Sequence, residues 1–337
     1  MSIFASGRQR RESRSIAWTR WGVLAAVPIV FLAVPTLAHV PARLVAGCPT
    51  WIALAGLLEL GSIAGFIGSF ALVFGPRTTR RQSATAALRA LGAITVLPAG
   101  GLVGPAIGVR SGDRQPAPLG SLVRSTIAFT ILTTAPSVAA LALFGAGLWL
   151  GWPSGPHGAL LTLPAAAGAG AGLVLIWLLG RGAPPAIRPQ RPVPRALRWI
   201  TGAAAALRGG AAEARRLLAR GNWKLLGATV AYYAFDNAVL WAAFRAYGSA
   251  PPLGVIVMGY LVGSLAAALP IPGGLGAIEG GLIGALVLYG APGGAAAGAV
   301  LLYRGVSLGL ALSLSATAWA VKRPPRPASA TLTAERC

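Results

Sequence analysis

Windows of about 20 apolar residues, the length that crosses a ~30 Å hydrocarbon layer, recur about six times along the chain. They fall at 21–38, 51–74, 122–150, 159–179, 225–247 and 294–321. In lipid no water is available to satisfy a bare N–H or C=O, so such windows fold as helices whose hydrogen bonds close within the segment. The expected fold is therefore an all-α polytopic membrane protein. No aqueous stretch is long enough for a separate globular domain. This leaves a basic tail over 1–20, one transmembrane domain over 21–321 and a tail over 322–337. A basic segment at 181–224 divides the transmembrane domain into halves 21–180 and 225–321.

Charge is scarce and one-sided. Charged residues are 11% of 337, yet Lys and Arg number 29 against 7 acids, a net charge of +22. In a soluble chain this imbalance would point to nucleic acid; here it marks the loops that stay in the cytoplasm. With both termini inside, every cation except Arg43, Arg245 and Arg304 lies on the cytoplasmic side. That assignment requires 84–109 to dip into the membrane and return, keeping Arg110, Arg114 and Arg124 inside. The expected location is a cytoplasmic (inner) membrane. Within 181–224, Pro184 to Pro194 reads as linker. The Leu- and Arg-interspersed 195–220 reads as a helix lying on the inner leaflet, either as a topology marker or as a seat for anionic lipid.

Two stretches cannot continue as helix. Pro270-Ile-Pro-Gly-Gly-Leu-Gly276 holds two prolines and three glycines, and proline lacks the N–H and clashes with the preceding turn. The stretch Leu97-Pro-Ala-Gly-Gly-Leu102, with Gly100 and Gly101, repeats the pattern in the first half. Each is flanked by apolar segments too short to cross comfortably, which predicts two re-entrant broken-helix pairs. Span, dip and span then recur with opposite sense in the two halves. This is the inverted-repeat plan of many transporters, whose sites lie where broken helices meet.

Four ionisable groups fall at membrane depth: Glu59, Asp236, Glu279 and Arg304. Each costs about 2.5–3.5 kcal/mol at a helix centre, so such residues pair or face a cavity. Glu279 opens the helix after the second break, where a carboxylate suits the positive helix end. Arg304 is its expected partner, as a structural ion pair or as a reader of an anionic headgroup. In the second case the N–H groups of Gly273, Gly274 and Gly276, next to Pro270 and Pro272, would bind phosphate oxygens, with Gly100, Gly101 and Arg124 of the first half as further candidate binding residues. Glu59 and Asp236 read either as hydrogen-bonded core carboxylates or as headgroup or proton contacts. Cys48 and Cys337, and His39 and His157, have no metal-ligand spacing. No nucleophile triad or nucleotide loop is present, and no cofactor is expected.

Pro270 to Glu279, together with Leu301-Leu-Tyr-Arg304 and the Leu-Pro-Ala-Gly-Gly stretch, resembles the flippase-like transmembrane domain of lysylphosphatidylglycerol synthases. The resemblance spans roughly residues 20–322. It implies a lipid flippase or transporter moving a phospholipid or lipid-linked intermediate, with Pro270, Gly273, Gly274, Gly276, Glu279 and Arg304 at its site. The synthases carry a soluble aminoacyl-transferring domain after the last span. Only 16 residues follow Val321 here, so aminoacyl transfer is not expected. The expected partner is a membrane lipid with an anionic headgroup, not nucleic acid; a second copy of the chain or a lipid-synthesis enzyme are further candidates. The alternatives are a membrane-embedded enzyme or accessory subunit acting on a lipid-linked sugar, and a scaffold that recruits a soluble enzyme through 181–224.

Overall fold

A computed structural model of the chain describes residues 47–75, 79–97, 100–112, 118–152, 158–181, 195–248, 250–268 and 276–320. The expected first span, the Pro270–Gly274 break, both tails and the Pro184–Pro194 linker lie outside the described residues. Those described form ten α-helices and no strand. In chain order they are α1 (Pro49–Phe74), α2 (Arg80–Val96), α3 (Gly100–Gly112), α4 (Leu119–Trp149), α5 (Ala159–Leu179), α6 (Arg195–Ala219), α7 (Trp223–Ala246), α8 (Leu253–Ser264), α9 (Ala277–Leu288) and α10 (Gly293–Ala320). α1, α4, α5 and α10 are long and apolar enough to cross a membrane. The chain is a multi-pass membrane protein. α7 has the length, at 24 residues, but carries Lys224, Asp236 and Arg245, and is not among those four.

Local chemistry sets the helix ends. α1 starts on Pro49, whose missing N–H costs nothing in a first turn. Thr79 and Gln82 close a reciprocal capping box on α2. α2 ends at Leu97, which is extended at φ −88°, ψ 145° because the following Pro98 disfavours helix in the residue before it. α3 then folds back onto α2, so 84–109 is a helical hairpin around the first break. In the second half α8 tightens into a 3₁₀ turn, Leu265–Ala268, and packs against α9.

α1 and α7 are the central pair. The Cys48 N–H donates to the Ala246 carbonyl at 2.9 Å, Trp51 meets Trp241 edge-on, and the Ser62 hydroxyl donates to the Tyr232 carbonyl. These contacts run in opposite chain directions, so the two helices are antiparallel. Gly65 permits their approach: a Cβ there would lie 2.8 Å from the Tyr232 nitrogen and 2.9 Å from the Ala228 oxygen. Around the pair the contacts come in matched sets. α1 touches α2 as α7 touches α8, and α3 touches α4 as α9 touches α10. The first hairpin reaches across through α2 to α10, and the second through α8 to α4. α5 and α6 stand outside this scheme, with α6 laid on α4 and α5 through buried Ala211 and Ala214.

Candidate functional site

Four helices bring the membrane-depth ionisable residues together. Gly276 caps α9 with φ +79°, a left-handed conformation that glycine takes without the Cβ penalty. This turns its N–H onto the Glu279 carboxylate, which accepts it through Oε2 at 2.7 Å. The other oxygen, Oε1, accepts from Arg304 Nε at 2.7 Å. Glu279 is 4% and Arg304 8% exposed, so the pair is nearly dry. Among the described residues the only other ion pair joins Arg216 to Glu213, one helical turn apart on the exposed face of α6.

Asp236 sits mid-way along α7 and accepts two phenolic hydrogens. Tyr303, next to Arg304 on α10, donates to its Oδ1 and Oδ2 at 3.1 and 3.0 Å. Tyr260 of α8 donates to Oδ2. The two rings meet edge-on with centroids 6.3 Å apart. The antiparallel register of α1 and α7 brings Glu59 opposite Asp236, within electrostatic reach of both Asp236 and Arg304. Glu59 is 5% exposed and its Oε2 has no hydrogen-bond partner. Asp236 also lies within reach of Arg304. The result is one guanidinium facing three carboxylates in the interior of the bundle.

The expected residues divide as follows. Glu59, Asp236, Gly276, Glu279 and Arg304 form the cluster. Pro270, Pro272, Gly273 and Gly274 lie outside the described residues. Gly100 is buried at the start of α3, where a Cβ would strike the Ile94 carbonyl, and the neighbouring Gly101 carbonyl accepts from the Thr130 hydroxyl. Arg124 is exposed on α4 with its aliphatic stem against Gly209 of α6; it is not part of the cluster. Three residues were not singled out from sequence. Tyr260 and Tyr303 are one kind, and a mid-helix tyrosine does signal itself, because its ring suits lipid while its hydroxyl needs a partner. The third is Arg89 of α2, 6% exposed. Its Nε donates to the Ala318 carbonyl and its Nη1 to the Ser111 carbonyl, both at 3.0 Å, and its guanidinium lies over the Trp319 ring. It ties the ends of α3 and α10 to α2.

A groove of about 820 Å³ runs beside the cluster between α4, α7 and α8. Its wall is apolar except for a few groups that include Tyr233, Asn237 and Tyr260.

The sequence matches the family described as the lysylphosphatidylglycerol synthase TM region over residues 21–315. That is most of the 337-residue chain. The chain belongs to this family. No curated protein matches it. The match encloses all ten helices up to the last turns of α10, and with them every member of the cluster. The match is to the membrane region of the synthases, and it is the membrane region that the helices described here build.

Proposed function

We propose that this transmembrane domain moves a lipid with an anionic headgroup between the leaflets of the cytoplasmic membrane. The observation that carries the reading is the nearly dry Glu279–Arg304 pair, anchored on the Gly276 cap beside the helix break. Membership of the synthase transmembrane family supports a lipid as the cargo. Arg304 offers a guanidinium that an anionic headgroup can take from Glu279. The released Glu279 keeps its bond from the Gly276 N–H at the positive end of α9. Asp236, held by two tyrosines, and Glu59 supply carboxyl oxygens that accept Arg304 back into the bundle once the headgroup leaves. The acyl chains stay in lipid throughout.

The architecture we infer for this task is an inverted repeat with two re-entrant hairpins. The antiparallel α1–α7 pair, the matched contacts about it and the reciprocal reach of each hairpin to the opposite half support it. So do the two helix breaks, each following a Leu-Pro step. An approximate two-fold axis lying in the membrane plane then passes near Glu59 and Asp236, the position where transporters of this plan hold their cargo.

The test is translocation of headgroup-labelled lipids in proteoliposomes, with anionic and zwitterionic headgroups side by side. The expected result is movement of the anionic lipid by wild type, lost in both Glu279→Gln and Arg304→Ala. Equal movement of every headgroup, unaffected by either substitution, contradicts the reading.

A further inference from the structure

We infer that the groove between α4, α7 and α8 is a lipid-binding site that seats one hydrocarbon chain of a membrane lipid and hydrogen-bonds its polar end at Asn237. The inference deepens the transport reading and rests on it only for the use to which the seat is put. Three observations meet here.

The first is length. The groove is lined by α7 from Leu225 to Trp241, about 24 Å at 1.5 Å per residue, most of the ~30 Å depth of a hydrocarbon layer. Leu143, at 72% exposed, and Leu253, at 56%, form part of its rim, so it opens sideways, and in a multi-pass protein that direction is lipid. Its volume of about 820 Å³ lies in the range of sites that enclose a small-molecule ligand.

The second is Asn237. It lies in the middle of α7, lines the groove, and its side-chain amide makes no hydrogen bond among the described residues. An amide left bare in hydrocarbon is costly, and the polar end of a lipid, with its ester or hydroxyl oxygens, offers it a partner. Neighbouring Tyr233 is different: its hydroxyl lies within reach of the Ser137 and Thr134 side chains of α4.

The third is continuity with the charged cluster. Tyr260 lines the groove and also donates to Asp236. A headgroup on a chain seated in the groove is one tyrosine away from Asp236, and through Asp236 from the Tyr303–Arg304 turn of α10. Chain and headgroup thus have adjoining places, one apolar and open to the bilayer, the other polar and closed.

The test uses a phospholipid carrying a photoreactive diazirine in its acyl chain, incorporated with the full-length protein into nanodiscs, with adducts mapped by mass spectrometry. Wild type is expected to give adducts concentrated on the groove-facing residues of α4, α7 and α8. Ala234→Trp fills the groove from an exposed position of α7, and is expected to lower groove adducts and lipid translocation about tenfold or more. Leu175→Trp, on the exposed face of α5, is the control and leaves both near wild type. Adducts spread evenly over all exposed apolar faces, α5 included, overturn the inference. So does a filled groove that still translocates at the wild-type rate. If wild type moves no lipid while its adducts remain concentrated and are lost in Ala234→Trp, the seat stands and the transport reading falls.

Discussion

Arg304 is the one guanidinium among three carboxylates, and that ratio governs what each substitution does. Glu279→Gln keeps the shape of the pair and its bond from the Gly276 N–H, while Asp236 and Glu59 still face Arg304. The variant is expected to fold and to lose transport. Arg304→Ala leaves Glu279 buried without its partner, which costs about 3–5 kcal/mol where a buried pair is broken from one side. Thermal unfolding in detergent is expected to separate the two variants, with Arg304→Ala melting clearly lower; equal melting temperatures would contradict this asymmetry between the two partners. Tyr303→Phe removes a donor to Asp236 and is expected to cost about 1–3 kcal/mol, whereas Glu59→Gln replaces an oxygen that has no partner and is expected to cost less than Tyr303→Phe. A Glu59→Gln variant that unfolds as readily as Tyr303→Phe would contradict that account of Glu59.

At the scale of elements, the α1–α7 contact and the two hairpins are separable supports. Gly65→Leu would drive a side chain into the α7 backbone, where even a Cβ stands 2.8 Å from the Tyr232 nitrogen. The expected loss is at least the 1–3 kcal/mol typical of overpacking, read as a lower melting temperature. Arg89→Met removes two carbonyl contacts and the Trp319 face contact. Hydrogen exchange is expected to accelerate in α2 and α3 and at the end of α10, with α8 and α9 unchanged. Acceleration throughout the protein would mean that Arg89 holds the whole bundle and not one hairpin. These elements were largely legible in the sequence. The expected spans at 51–74, 122–150, 159–179 and 294–321 correspond to α1, α4, α5 and α10 because apolar length alone sets them, while 225–247 is helical as α7 but is too polar to stand among those four. The Leu97 break was legible because proline acts on the residue before it. The role of Arg89 was not, because a lone arginine near a cytoplasmic loop reads as a topology marker until the carbonyls of Ser111 and Ala318 are seen to converge on it.

For the whole molecule, the charged residues at membrane depth were found from sequence because each is an exception to its surroundings. The arrangement that joins them was not readable. It depends on the register of α1 against α7, which is set by side-chain packing and the close approach at Gly65, and neither leaves a periodic signal. Tyr260 was missed for the same reason, since only that packing turns it toward Asp236. The proposed orientation rests on charge: with both termini on the cytoplasmic side, the start of α1 and the end of α7, joined through Cys48 and Ala246, would lie on the outer face. Cys48 is exposed. With Cys337 replaced by Ser, an impermeant maleimide is expected to label Cys48 on intact spheroplasts; labelling only in inverted vesicles would reverse the topology. The most direct test of the central claim is the rate at which a labelled anionic phospholipid leaves the inner leaflet of proteoliposomes, compared between wild type and Glu279→Gln at equal reconstitution. The account predicts a wild-type rate well above protein-free vesicles and a Glu279→Gln rate equal to theirs. Equal rates for the two proteins, both above protein-free vesicles, would contradict it.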